Sequence, residues 1–200
     1  MIALTKEEKI IEAARERFAH FGFSKVTMEE IASDVEMGKA SLYYYFPTKE
    51  DLFKAVILLE QNELKEKIEL LLRKSDSASQ KLHEYVQLRL NSLRDLINLG
   101  SLSFYNYFKT KSIPKKLFLD FEKAELKLIK KIIDEGKMSK EFDPDLSDDI
   151  VVVFLHILQG LGYTGLRWHK KRSLDEGIYN NLQKEMKIAT DIFIHGIKFN

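Results

Sequence analysis

Apolar residues recur at spacings of three and four from Ile10 to Ile197, and only three prolines (Pro47, Pro114, Pro144) and nine glycines interrupt them. That period is helical: each stretch puts one apolar stripe on a helix surface, whereas a half-buried strand needs strict alternation. The chain is therefore expected to be all-α. Start signals reinforce the period, because Thr5 with Glu8, Thr27 with Glu30, Ser77 with Gln80 and Ser173 with Glu176 each set a hydroxyl three residues ahead of a Glu or Gln. In that arrangement hydroxyl and side chain reciprocally satisfy amides that a helix start leaves without partners.

From these signals the sequence predicts helices over 6–21, 28–35 and 39–45, with Ile10, Ala14, Phe18 and Phe21 on one face of the first and Gly22 as its left-handed stop. Pro47 ends the third helix because its ring disfavours helical geometry at Phe46. Thr48 then caps a long helix to about residue 73, striped by Leu52, Val56, Leu59, Leu64, Ile68 and Leu71. Further helices are expected over 78–97, 101–110, 114–136, 146–168 and 174–198, the last with a ridge of Ile178, Leu182, Met186, Ala189, Phe193 and Ile197. Two modules follow: 1–48, and 49–200 joined to it by the long helix.

Composition narrows the function. With no cysteine, thiol redox chemistry, thiolate metal sites and a cysteine nucleophile drop out. No stretch approaches the ~18–20 uninterrupted apolar residues of a membrane span, and the first residues lack a basic segment followed by an apolar one, so a cytoplasmic protein with no membrane partner is expected. Residues 1–50 carry seven Lys/Arg against nine Asp/Glu. Any contact with nucleic acid must therefore rest on the placement of a few cations, not on bulk charge.

The segment TMEEIASDVEMGKASLYYYFPTKEDL, residues 27–52, sets two short helices a few residues apart. Such helices cannot bury their own apolar faces, so Ile31, Ala32, Val35, Leu42 and Phe46 must pack on the first helix and on the start of the long one. The result is a three-helix unit with one short exposed helix, the helix-turn-helix arrangement, whose second helix enters the DNA major groove by its N-terminal residues. The segment resembles the DNA-binding signature of the TetR family in Ile31 and Ala32, in the run Leu42, Tyr43, Tyr45 and Phe46, and in Lys49, Glu50 and Leu52. The resemblance covers about the first 55 residues.

Within the segment, Thr27 and the amides that follow it suit a phosphate. Lys39 and Ser41 are placed to reach bases or phosphates, and small Ala40 admits the DNA backbone. The resemblance implies that Tyr44 and Lys49 hold phosphates, that Tyr43 sits at the groove edge and that Tyr45 is partly buried. It also marks a departure: Val35-Glu36-Met37-Gly38 stands where the family usually has Ala-Gly-Val-Ser. Glu36 is then expected at a positive φ, and Gly38 replaces a hydroxyl cap.

In the second module, Phe104, Tyr105 and Phe108, together with Phe121, form an aromatic group suited to the wall of a small-molecule cavity, with His156, Gln159 and Tyr163 as polar handles. The helix over 146–168 is apolar nearly all round, so it must be covered on two sides. A symmetric four-helix interface with a second copy supplies the outer cover, with Ile157, Leu161, Ala189, Ile192 and Phe193 as candidate contacts. Gly160, Gly162 and Gly165 spell a dinucleotide-binding pattern, but the strand-turn-helix context it needs is missing, and small residues at this spacing let helices approach closely. His83-Glu84 begins a zinc motif that Gln87 leaves incomplete, so neither a metal nor a cofactor is expected.

The expected function is a homodimeric DNA-binding regulator that reads the half-sites of a near-palindromic operator on double-stranded DNA. The resemblance implies a repressor released by a small organic ligand. Two alternatives are a helical DNA-binding or nucleoid-associated partner protein without a ligand and a small all-helical enzyme.

Overall fold

A computed structural model describes residues 4–73, 77–95, 115–167 and 176–199. Among these residues there are eight helices and no strand: α1 Lys6–Phe21, α2 Met28–Asp34, α3 Lys39–Tyr45, α4 Lys49–Leu72, α5 Ala78–Asp95, α6 Lys115–Met138, α7 Asp149–Arg167 and α8 Glu176–Ile197. The all-α expectation holds, and each described boundary falls within a few residues of the predicted one. The helix expected over 101–110 and the cap expected at Ser173 lie outside the described residues.

Caps explain why the helices begin where they do. Thr5 Oγ1 accepts from the Glu8 amide at 3.2 Å while Glu8 Oε2 accepts from the Thr5 amide at 2.7 Å. Thr27 and Glu30 repeat the exchange at 3.3 and 2.8 Å, and Ser77 with Gln80 at 3.2 and 3.1 Å. Thr48 Oγ1 accepts from the Asp51 amide at 3.0 Å to open α4. Gly22 ends α1 at φ 80°, and Phe46 before Pro47 takes extended backbone at φ −130°.

The described residues form two compact units, one extending to Asn62 and the other running from Glu63 through α8. Helix α4 thus lies partly in each. The first unit packs Ile10, Ala14 and Phe18 of α1 with Ile31 and Ala32 of α2, Leu42 of α3, and Leu52, Phe53, Val56 and Ile57 of α4. Val35 is only half-buried. Phe21, expected on the inner face, is 45% exposed. The turn at Gly22 lets Phe23 replace it, with its ring 5.7 Å from Phe18 and 4.8 Å from Phe53. A buried carboxylate, Glu60, meets Arg15 Nε at 3.5 Å and ties α4 to α1.

In the second unit the ridge of α8 packs on α5 and α7, with Ile178, Leu182, Met186, Phe193 and Ile197 all buried. Phe193 stacks on Phe154 of α7 at 4.3 Å. The expected stop at Gly136 is a correction: α6 continues to Met138, and the chain turns at Lys140, φ 59°. Gly136 instead makes room for Phe142, whose ring fills the space where a Cβ would stand. Beyond that turn the Glu141 carboxylate accepts from the amides of Ala78 and Ser79 at 2.8 and 2.9 Å, capping α5. Burial pushes the pKa of Glu141 up, but these hydrogen bonds outweigh it and hold it below the ordinary value.

Candidate nucleic-acid interface

Helices α2 and α3 are joined by a turn whose geometry follows from four residues. The amide of Glu36 donates to the Ser33 carbonyl at 3.2 Å, and that of Met37 to the Ala32 carbonyl at 2.9 Å. The chain reverses between them by placing Glu36 at φ 53°, the left-handed region that favours glycine. Gly38 then starts α3 with no side-chain cap, and a Cβ there would meet nothing within 4 Å. Both departures seen in the sequence are thus present as expected.

On this scaffold α3 buries only Leu42, at 0% exposure, with Tyr45 half-buried. Lys39, Ala40 and Ser41 are exposed, Tyr43 is 37% exposed and Tyr44 is 85% exposed. One side of a two-turn helix is therefore presented to solvent on a rigid three-helix core. Its dimensions and small first-turn residues suit the major groove.

The charges around α3 are mostly paired. Lys39 Nζ forms an ion pair with Glu29 of the first turn of α2 and lies 5.8 Å from the Tyr43 ring centroid. A hydrogen bond from Lys39 holds the Glu29 carboxyl below its ordinary pKa and, reciprocally, raises that of Lys39. Arg17 of α1 grips Asp34 through Nε and through Nη2 at 2.8 Å, with Glu30 3.4 Å from Nη1. Asp34 is held below its ordinary pKa by that contact.

Lys49 departs most from its expected role. Its ammonium donates to the carbonyls of Phe23 and Val26, both at 2.9 Å, and lies 4.6 Å from the Phe23 ring centroid. Two of its three N–H donors thus fasten the α1–α2 connection to the start of α4, leaving one for any phosphate. The Thr27 hydroxyl likewise donates to Glu30 Oε2 at 2.9 Å, inside its own capping box.

Among the remaining candidates, Phe104, Tyr105 and Phe108 lie outside the described residues. Phe121 of α6 and Tyr163 of α7 are half-buried, and Gln159 Nε2 donates to Glu122 Oε2 at 3.4 Å across the α6–α7 seam. His156 is not with them. It is exposed, in a stripe with Val152, Val153 and Ile157. Ile157 at 37% and Ile192 at 69% are exposed and Leu161 and Ala189 are half-buried, but Phe193 belongs to the chain's own core at 7%. Gly165 approaches Leu182 of α8, a Cβ there standing 3.2 Å from its methyl, so the glycine pattern in part serves close helix packing. His83 pairs with Asp191 at 3.1 Å. Among the described residues no group of three or more His, Asp or Glu could hold a metal ion, and no helix is long and apolar enough to cross a membrane.

Two polar clusters in the second unit escaped the sequence reading. Glu125 of α6, 2% exposed, accepts from the Tyr85 hydroxyl at 2.7 Å and pairs with Arg89. Burial pushes the Tyr85 hydroxyl up to about 12, against the pull of Arg89, so it stays a donor. Between α5 and α8, Asn91 Oδ1 accepts from Gln87 Nε2 at 2.9 Å and from the Tyr179 hydroxyl at 2.6 Å, while Gln183 Nε2 donates to Gln87 Oε1 at 2.8 Å. The four-residue spacings Tyr85–Arg89 and Gln87–Asn91 were the available signal.

Comparison with known proteins agrees with this geometry. The profile described as bacterial regulatory proteins, tetR family, matches residues 10–56, and that of the QacR-like protein C-terminal region matches residues 60–198. The chain is 31% identical over 200 residues to the HTH-type transcriptional regulator QacR of Staphylococcus aureus, covering 96% of this chain and 97% of that protein. A crystal structure of a transcriptional regulator from Cytophaga hutchinsonii superimposes with a TM-score of 0.87 at 40% identity, covering 96% and 98% of the two chains. The regulator FadR of Bacillus subtilis, solved with stearoyl-CoA, shares the fold at a TM-score of 0.71 and 19% identity, covering 94% and 98%. An exposed two-turn helix on a three-helix core, with both family profiles side by side along the chain, makes this a member of the TetR family of DNA-binding transcriptional regulators, with a QacR-like C-terminal region.

Proposed function

We propose that two copies of this chain pair and repress transcription from a near-palindromic operator in the cytoplasm, each reading one half-site with α3, and that a small organic ligand held by residues 49–200 releases them. The observation that carries the reading is the exposure of Lys39, Ala40, Ser41, Tyr43 and Tyr44 around a fully buried Leu42. A short helix supported this way presents first-turn side chains to base edges, while Tyr44, with the free donor of Lys49, reaches phosphates.

Pairing is supported by the outer apolar stripe of α7 and by Ile188 and Ile192 on α8, 58% and 69% exposed. Such residues on adjacent helices form a self-complementary patch for a two-fold interface. Ile157, Leu161, Ala189 and Ile192 are its contacts. For the ligand, Phe121, Gln159 and Tyr163 supply half-buried aromatic and amide groups.

The test is selection of duplexes from a randomised pool. Ser41→Ala is expected to change the preferred sequence, and Tyr44→Phe to weaken binding to all sequences alike. An unmodified chain that enriches no sequence over a scrambled duplex sinks the reading. A broad panel of organic compounds, none of which raises the melting temperature or releases the enriched duplex, would remove the ligand while leaving DNA reading intact.

A further inference from the structure

We propose that Glu29 is a positioning residue for DNA reading: its carboxylate holds the Lys39 ammonium in one orientation on the first turn of α3 and offsets that charge, so that Lys39 serves a base edge rather than any phosphate. The inference rests on the reading of α3 as the DNA-contacting helix.

Lysine is a compact charge on a flexible four-carbon stem and, unlike arginine, brings no geometry of its own. Direct readout needs geometry, because a guanine edge offers O6 and N7 at fixed positions. Here two neighbours supply it. Glu29 comes from the first turn of α2, and Tyr43, one turn further along α3, lies 5.8 Å from the ammonium. Lys39 has three N–H donors, and Glu29 leaves two for the DNA.

The side chains of Lys39 and Glu29 are 61% and 51% exposed, so the pair is no part of the core, and pairs at such exposure contribute little to stability. Nor does Glu29 cap α2, since Thr27 and Glu30 fill that role. The pair therefore matters on the surface that meets DNA.

Charge points the same way. Between Thr27 and Asp51 the chain carries six carboxylates and only two lysines, Lys39 and Lys49. Two of the three donors of Lys49 are taken by the carbonyls of Phe23 and Val26. Binding without sequence preference comes from phosphate neutralisation. A Lys39 left unpaired would be the most available phosphate contact of this segment, and Glu29 withdraws it.

The experiment uses the full chain and the duplex enriched by the unmodified protein, beside a scrambled duplex of equal length. With Glu29→Gln, binding to the scrambled duplex is expected to tighten several-fold. The slope of log affinity against log salt should steepen by about 0.9 for each protomer that gains a phosphate contact. A fresh selection should lose preference at the same base position that Lys39→Ala loses, and the double variant should lose no more than Lys39→Ala alone. Glu29→Ala should reproduce these shifts, so that a folding defect peculiar to one variant is recognised by its melting temperature. Lys39→Ala shifting the preferred sequence while both Glu29 variants leave salt slope and preference unchanged overturns the inference and leaves α3 as the reading helix. Lys39→Ala leaving the preference unchanged overturns the Lys39 base contact itself, and this inference with it.

Discussion

Single residues in the turn and at the start of α4 carry consequences that follow from their backbone and hydrogen bonds. Glu36 sits at φ 53°, where a side chain costs roughly 1–2 kcal/mol and glycine, though more flexible when unfolded by about 0.5–1 kcal/mol, sits without strain. Glu36→Gly is therefore expected to raise unfolding free energy by about 0.5–1 kcal/mol, read from urea midpoints; a lower midpoint would show that the Glu36 side chain has a stabilising role that outweighs its backbone. Lys49 was read from the resemblance as a phosphate ligand, and two of its three donors also fasten the α1–α2 connection to the start of α4. Lys49→Met should lower stability by about 1–3 kcal/mol, because half-buried carbonyls lose a charged donor. A Lys49→Met chain that melts like the unmodified one while losing DNA affinity would return Lys49 to a pure phosphate role. The period of the sequence showed that Lys49 stands at a helix start. It could not show which carbonyls, 23 and 26 residues earlier, would come within reach.

Elements were the most legible level, because a helix start is a local event. Reciprocal bonds at Thr5, Thr27 and Ser77 lie within three residues of one another, so no tertiary information is needed to place them. Helix ends were less legible. Glycine at 136 reads as a stop by its usual preference, yet it lies inside α6 because the Phe142 ring occupies the space a side chain would need. Gly136→Ala gains helix propensity but forces the ring aside, and overpacking of this kind typically costs 1–3 kcal/mol. A net loss of about 1–2 kcal/mol in thermal or urea unfolding is expected; an unchanged or higher midpoint would mean that Phe142 moves freely.

At the scale of the whole molecule, exposure separates two kinds of apolar residue that the sequence ran together. Ile192 and Phe193 are neighbours on α8, yet the first is 69% exposed and the second 7%. The proposed pairing therefore predicts different outcomes for the same substitution. Ile192→Glu should leave the melting temperature of the fold close to that of a monomer while sedimentation shows the dimer lost. Phe193→Glu should place a carboxylate against Phe154 and unfold the second unit, since an unpaired buried charge costs several kcal/mol. An Ile192→Glu chain that sediments as a dimer would remove the α7–α8 face from the pairing proposal.

The helical period, the caps and the spacing of two short helices are short-range properties, and from them the all-α class, the helix-turn-helix and the family resemblance were readable in the residues alone. The strained turn was readable too, because Glu36 stands where the pattern expects glycine. What only the tertiary structure decided is which of two neighbouring side chains turns inward. Phe23 takes the place expected of Phe21, and Phe193 lies inside while Ile192 lies outside. The partners of the charges were equally hidden, as with Glu29 for Lys39, Glu125 for Arg89 and Glu141 for the start of α5. A helical stripe fixes a direction only to within a fraction of a turn, and a charge pairs with whatever the fold brings within about 4 Å, so both depend on contacts between segments far apart in the chain.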